Sequence, residues 1–128
     1  VHCAESTHVG SSVREPGLYY RNNVVNSLSL LASMSACAVS RIVFSSTCTL
    51  YGEPDEFPLR EAAPVQPSNP HPFTKHAVEQ AIRDHSVAHG LRYVFLRYFN
   101  AAGADPGGNH GEDQDPETHP TPCCRAAR

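Results

Sequence analysis

A chain of 128 residues suffices for one domain with a modest core and is short for a two-domain enzyme. Its ordinary balance of 40% apolar and 18% charged residues contains no apolar run near the roughly 18 residues a membrane span needs. With no basic segment leading into an apolar one, neither a signal peptide nor a membrane is expected, and the default location is cytoplasmic. A formal charge of −3, with Lys and Arg scattered singly, offers no basic face to nucleic acid. The five cysteines (Cys3, Cys37, Cys48, Cys123 and Cys124) are odd in number and form no CxxC pair, so they read as reduced thiols.

Taken in order, Val1 to Ala4 reads as the end of a buried strand, and the opening VHCA as the middle of a fold. Glu5 to Glu15, polar and holding Gly10, reads as a loop. Pro16 opens a helix whose apolar residues Leu18, Val24, Val25, Leu28, Leu31 and Met34 recur at helical spacing to about Ala38. Arg41 to Ser46, RIVFSS, is a continuous apolar run with a β-branched pair, the pattern of a parallel strand covered on both faces. Prolines at 54, 58, 64, 67 and 70 make Gly52 to Pro70 a long surface loop.

A second helix is expected from Pro72 to His89. Phe73, Ala77, Val78, Ala81, Ile82 and Ala88 are placed inward, and Lys75, Glu79 and Arg83 outward at four-residue steps. Gly90 ends it as a left-handed cap, and Leu91 to Phe99 is the next buried strand. This alternation predicts an α/β fold, part of a doubly wound parallel sheet with right-handed crossovers. Residues 101–128 read as a loop leaving the sheet and a frayed tail.

In such sheets ligands bind beyond the carboxyl ends of the strands. Three ends are visible, Cys3 to Glu5, Ser45 to Thr47 and Tyr98 to Asn100, rich in hydroxyl, amide and small residues that suit a nucleotide and a sugar. His85 and His89 lie four apart on one helix but lack an intervening Glu or a known ligand spacing, so they read as solvated histidines and no metal is expected. No GxSxG elbow surrounds Ser45 or Ser46, which argues against a serine hydrolase.

The segments HCAES, VGSSVREPGLYYRNNVV, RIVFSSTCTLYGEPDEFPLRE, NPHPFTKHAVEQAIRD, GLRYVFLRYFNAAGADPGG and GEDQDPETH resemble, in order and spacing, the UDP-glucose 4-epimerases. These are extended short-chain dehydrogenase/reductase proteins of the NAD-dependent epimerase/dehydratase type. The resemblance implies a Rossmann-like, NAD-binding domain over residues 1–100 and the start of a substrate-domain loop over 101–128. The chain is expected to be the middle of such a protein, lacking the N-terminal βαβ unit with its glycine-rich turn and the C-terminal substrate domain; no GxGxxG pattern occurs in it.

By position, the resemblance makes Thr47, His71 and Lys75 the catalytic set. Thr47 would hold the sugar hydroxyl at C4, Lys75 the nicotinamide ribose, and His71 stands where the family has its catalytic Tyr. Cys3, Ala4, Asn22, Ser45, Ser46, Lys75 and Tyr98 match positions lining NAD, and Thr47 and Asn100 match positions contacting the UDP-sugar. The implied reaction oxidises C4, turns the keto-sugar and returns the hydride to its other face. Sugar-nucleotide 4,6-dehydratases carry an Asp-Glu pair after the Thr; Cys48 and Thr49 stand there instead.

Glu5 replaces a small Gly or Ala, and Thr7 a Lys. With these replacements, no glycine-rich turn, His71 in place of the Tyr and no substrate domain, the isolated chain is expected neither to retain NAD nor to epimerise UDP-galactose. The rival reading is a non-catalytic relative that keeps the fold segment and a dimer surface on helices 16–38 and 72–89.

Overall fold

The computed structural model describes residues 1–54, 56–101 and 105–107. It divides into a unit of Val1–Tyr98 and a second unit of Phe99–Arg128. The expectations for the tail, including Cys123 and Cys124, lie outside the described residues.

The first unit is built on two parallel strands, β1 (Arg41–Thr47) and β2 (Arg92–Tyr98), paired in register from Arg41 opposite Arg92 to Thr47 opposite Tyr98. The N-terminal residues extend this sheet: the His2 amide donates to Val43 O at 2.8 Å, and the Ser45 amide to His2 O at 3.0 Å. Val1 to Ala4 therefore lies alongside β1 as a short parallel bridge, as expected of a strand end, but it is not buried as expected: Val1, Cys3 and Ala4 are exposed.

Helix α4 (Pro70–His89) joins the two strands. Its limits have local causes. The Asn69 side chain accepts from the His71 amide at 3.2 Å, Pro70 supplies a preset φ at the first turn, and Gly90 closes the last turn at φ +69°. The α4 face carrying Val78 and Ile82 meets Ile42 and Phe44 of β1, Leu31 and Leu91 to form the core, with Phe95 edge-on to Phe44 at 6.2 Å.

Four further expectations need correction. The segment Glu5–Glu15 is not all loop, because Val9–Arg14 forms α1. The single helix expected from Pro16 is instead α2 (Pro16–Tyr19), a π-helical turn (Tyr20–Val25) and α3 (Asn26–Ala36). On α4 the polarity assignment is inverted at key positions: Lys75 and Glu79 are buried, whereas Phe73 is 49% exposed and Ala88 is also exposed. Charged partners from other elements explain the first pair. Finally, β2 is not a buried strand; Tyr93, Val94, Leu96 and Tyr98 are exposed. Phe95 and Arg97 on one face of β2 meet the core and Glu79, whereas Val94, Leu96 and Tyr98 on the alternate face have no covering layer among the described residues.

After β1 the chain turns through a short 3₁₀ helix (Cys48–Tyr51) into the proline-rich loop. Gly52 makes that turn at φ +62°, where an added Cβ would strike the Gln66 carbonyl oxygen.

Candidate active site

At the carboxyl end of β1 the sheet, the start of α4 and the N-terminal segment converge. Lys75, one turn into α4 and only 3% exposed, lies over the Phe44 ring and donates from Nζ to Ser45 O at 2.7 Å. Its second partner is the Glu5 carboxylate, which forms a buried ion pair with it. Glu5 also accepts from Ser27 Oγ at 3.2 Å, and the His2 ring approaches at 3.8 Å. A buried ammonium and a buried carboxylate each pay desolvation, so neither would stay here without the other.

The π-helical turn sets where Glu5 sits. Its wider coil brings the adjacent Asn22 and Asn23 both onto Ser6. Asn22 Nδ2 donates to Ser6 Oγ at 2.9 Å; Asn23 accepts from the Ser6 amide at 2.9 Å and donates to Ser6 O at 3.0 Å. Asn23, fully buried, donates also to Thr74 Oγ1 at 3.0 Å, and Thr74 donates in turn to His71 O at 2.7 Å. One polar chain thus ties the N-terminal segment to the first turn of α4. Sequence reasoning overlooked Asn23 and Thr74; the signal was available only as a polar pair on an otherwise apolar helical pattern.

His71 is 4% exposed, with Tyr19 edge-on at 6.4 Å and no hydrogen-bond partner for its Nδ1. Burial, and then the nearby Lys75 charge, lower its pKa from 6.5 to about 4, against an opposing hydrogen bond to the Ser6 backbone. The ring is therefore neutral at pH 7 with a free nitrogen. Thr47 Oγ1 accepts from the Thr49 amide at 3.2 Å and lies 2.9 Å from Thr49 Oγ1. Burial raises the Cys48 thiol above its usual range.

Of the other expected site residues, Ser46 donates to buried Glu79, one turn beyond Lys75 on α4, at 2.6 Å. Cys3 and Ala4 are exposed at the end of the N-terminal bridge, and Tyr98 is exposed at the end of β2 opposite Thr47. Asn100 is exposed within the second unit. The His85 and His89 rings are 5.3 Å apart; among the described residues no group of three His, Cys, Asp or Glu side chains could hold a metal. No helix among them is long and apolar enough to cross a membrane.

The His71 shift carries a pH consequence. Its folded pKa is depressed, so between about pH 4 and 6.5 the unfolded chain binds a proton that the folded chain does not. Stability is complete above about pH 6.5 and falls as the pH drops toward 4, by on the order of 2 kcal/mol after allowing for residual solvent screening. His2, lowered mainly by burial, acts in the same direction. Urea midpoints at pH 7 and pH 4.5 should show this loss in the wild type and a clearly smaller one in His71→Gln; equal losses would mean that the imidazole is not desolvated.

Known proteins resemble this chain over nearly its whole length. The UDP-glucose 4-epimerase of Halalkalibacterium halodurans is 49% identical over 122 residues, covering 95% of this chain and 36% of that protein. The Rhizobium meliloti UDP-glucose 4-epimerase is 48% identical over 95% of this chain. Among solved structures, the UDP-glucose 4-epimerase of Brucella ovis in complex with NAD superposes with a TM-score of 0.88 at 48% identity, over 92% of this chain and 36% of that one. The Bifidobacterium longum enzyme in complex with NAD+ and UDP gives 0.83 at 43% identity, over 88% and 34%. The chain thus spans about a third of the length of the relatives it matches. These likenesses support the Rossmann-like reading of the fold, and the sequence pattern of the NAD dependent epimerase/dehydratase family matches residues 1–123, so the chain belongs to that family.

Proposed function

We propose that these residues form the catalytic edge of a UDP-glucose 4-epimerase-type protein that uses NAD and interconverts UDP-glucose and UDP-galactose. The observation that carries this reading is the pair at the start of α4: a fixed ammonium on Lys75 and, one turn before it, a buried imidazole with an unpartnered Nδ1. The donor set suits a nucleotide ribose. Lys75 already addresses an oxygen acceptor, Oε2 of the Glu5 carboxylate, which stands where a ribose hydroxyl would accept. NAD, when bound, supplies the site that takes up a hydride and gives it back.

The chain's own residues then divide the work. Lys75, held in place by Ser45 O, binds and orients the ribose. Thr47 Oγ1 donates to the sugar oxygen at C4, and His71 Nδ1 accepts the proton leaving that oxygen and later returns it. Cys48, kept as a thiol, and Thr49, bonded to Thr47, supply no carboxylate for eliminating water, which favours epimerisation over dehydration. Apolar side chains left exposed on α2, the π-helical turn, α3 and α4, among them Leu18, Tyr20, Val25, Leu28 and Phe73, suit a face that packs against a second subunit.

Incubation of the protein with NAD and UDP-galactose, followed by quantification of UDP-glucose, tests the reading. Slow product formation by the wild type, faster in Glu5→Ala and lost in Lys75→Met, is the expected result. A folded dimer that forms none would favour the non-catalytic relative instead.

A further inference from the structure

The Glu5 side chain has no solvent exposure, yet it belongs to a segment, Cys3 to Thr7, whose Cys3, Ala4 and Thr7 are exposed. Its carboxylate is aimed inward at Lys75 and is anchored from behind by the three hydrogen bonds that Asn22 and Asn23 make to Ser6. Lys75 has three N–H donors on Nζ. One goes to Ser45 O, Glu5 takes the ion pair, and the Phe44 ring lies 5.1 Å away, so an amine that is 3% exposed has little left to offer an incoming ligand. Lys75 is the sole lysine in the chain, so no neighbouring ammonium can substitute for it.

We propose that Glu5 is an internal occupant of the Lys75 ammonium, a specificity-determining residue that fills the place of the ribose hydroxyls and admits a dinucleotide there only when its carboxylate leaves. The ribose half of this statement rests on the NAD reading above; the occupancy of the amine does not. The charged Oε2 of Glu5 satisfies the same donor that a ribose hydroxyl would and competes strongly for it, while Oε1 is held by Ser27. A nucleotide diphosphate approaching the same strand ends would also find the Lys75 charge already neutralised.

Because Lys75 carries the only ε-amine, acylation followed by peptide mass mapping reports on it without ambiguity. The experiment compares wild type, Glu5→Gln, which keeps the shape without the charge, and Glu5→Ala, each with and without millimolar NAD. Lys75 should label slowly in the wild type and about 10- to 100-fold faster in both variants, the range expected for loss of a hydrogen-bonded charged partner. NAD should then slow labelling in the variants and leave the wild type unchanged. Labelling of both variants at the wild-type rate would overturn the occupancy. Equal protection by NAD in all three proteins would overturn the competition. Faster labelling with no protection in either variant would leave Glu5 as the occupant and remove the ribose, and with it the NAD reading, from this amine. Should Glu5→Ala unfold, seen as labelling at the rate of urea-denatured chain, the isosteric Glu5→Gln decides.

Discussion

Replacing His71 by Tyr is expected to raise the turnover of UDP-galactose by roughly 10² to 10⁴, the usual worth of a well-matched acid–base group. A base works best with a pKa near the operating pH, and the His71 imidazole, desolvated and next to Lys75, is held at about 4. It is neutral at pH 7 but a weak proton acceptor, and its ring is short. With 4% exposure and Tyr19 edge-on to it, the ring is buried at the first turn of α4. A phenol at the same backbone position reaches farther, and the Lys75 ammonium lowers a phenol's pKa by the same charge that depresses the imidazole's. Since Glu5 already neutralises Lys75, the double change His71→Tyr with Glu5→Ala should exceed either single one. Initial rates of UDP-glucose formation give the comparison. A wild-type rate equal to that of His71→Tyr would show that the imidazole is not the weak element.

The second large effect is on stability. Glu79, on α4 with no exposed surface, accepts from Ser46 Oγ of β1 and is gripped by Arg97 of β2, Nε to Oε1 at 3.0 Å and Nη2 to Oε2 at 2.7 Å. Arg97 continues to Tyr51 Oη at 2.7 Å, and Arg83 adds a longer contact to Glu79 at 3.4 Å. Burial alone would raise the Glu79 pKa, but the Arg97 and Ser46 hydrogen bonds and the two guanidinium charges outweigh it and hold the carboxyl below its usual value. The Arg97 pKa is raised by its bond to Glu79, against the opposing effect of burial. Glu79→Ala therefore strands a half-buried guanidinium and a buried serine hydroxyl, and about 3 to 5 kcal/mol of unfolding free energy should be lost. Replacing both partners, as in Glu79→Leu with Arg97→Met, should recover most of that, because no uncompensated charge is left. Urea unfolding of the two single variants and the double variant measures it. A loss under 1 kcal/mol in Glu79→Ala would mean that the network does not join the strands to α4.

How far the residues alone could be read differs from element to element. β1 and α4 were legible because their signals are local: an unbroken apolar run, a proline at the helix start and a glycine stop, with the helix beginning two residues earlier than expected, at Pro70 behind the Asn69 cap. The strand end at Ser45 to Thr47 followed from where that run stops. The hydrophobic pattern from Pro16 to Ala38 was legible too, but not the π-helical turn inside it. One extra residue in a helical coil leaves no local mark; it appears when Asn22 and Asn23 both find Ser6.

By itself, then, the sequence determined the order of strands and helices, the strand ends where a nucleotide would be met, and the likeness of those ends to the epimerases, since all three lie in short contiguous stretches. Only the tertiary structure decided which charges go inside. Lys75 and Glu79 occur at four-residue steps with Arg83, a spacing that in an isolated helix marks a solvated face. Glu5, some seventy positions from Lys75, and Arg97, eighteen beyond Glu79, turn that face inward. A buried charge is tolerated when an opposite one arrives from elsewhere in the fold, and no local pattern announces that arrival.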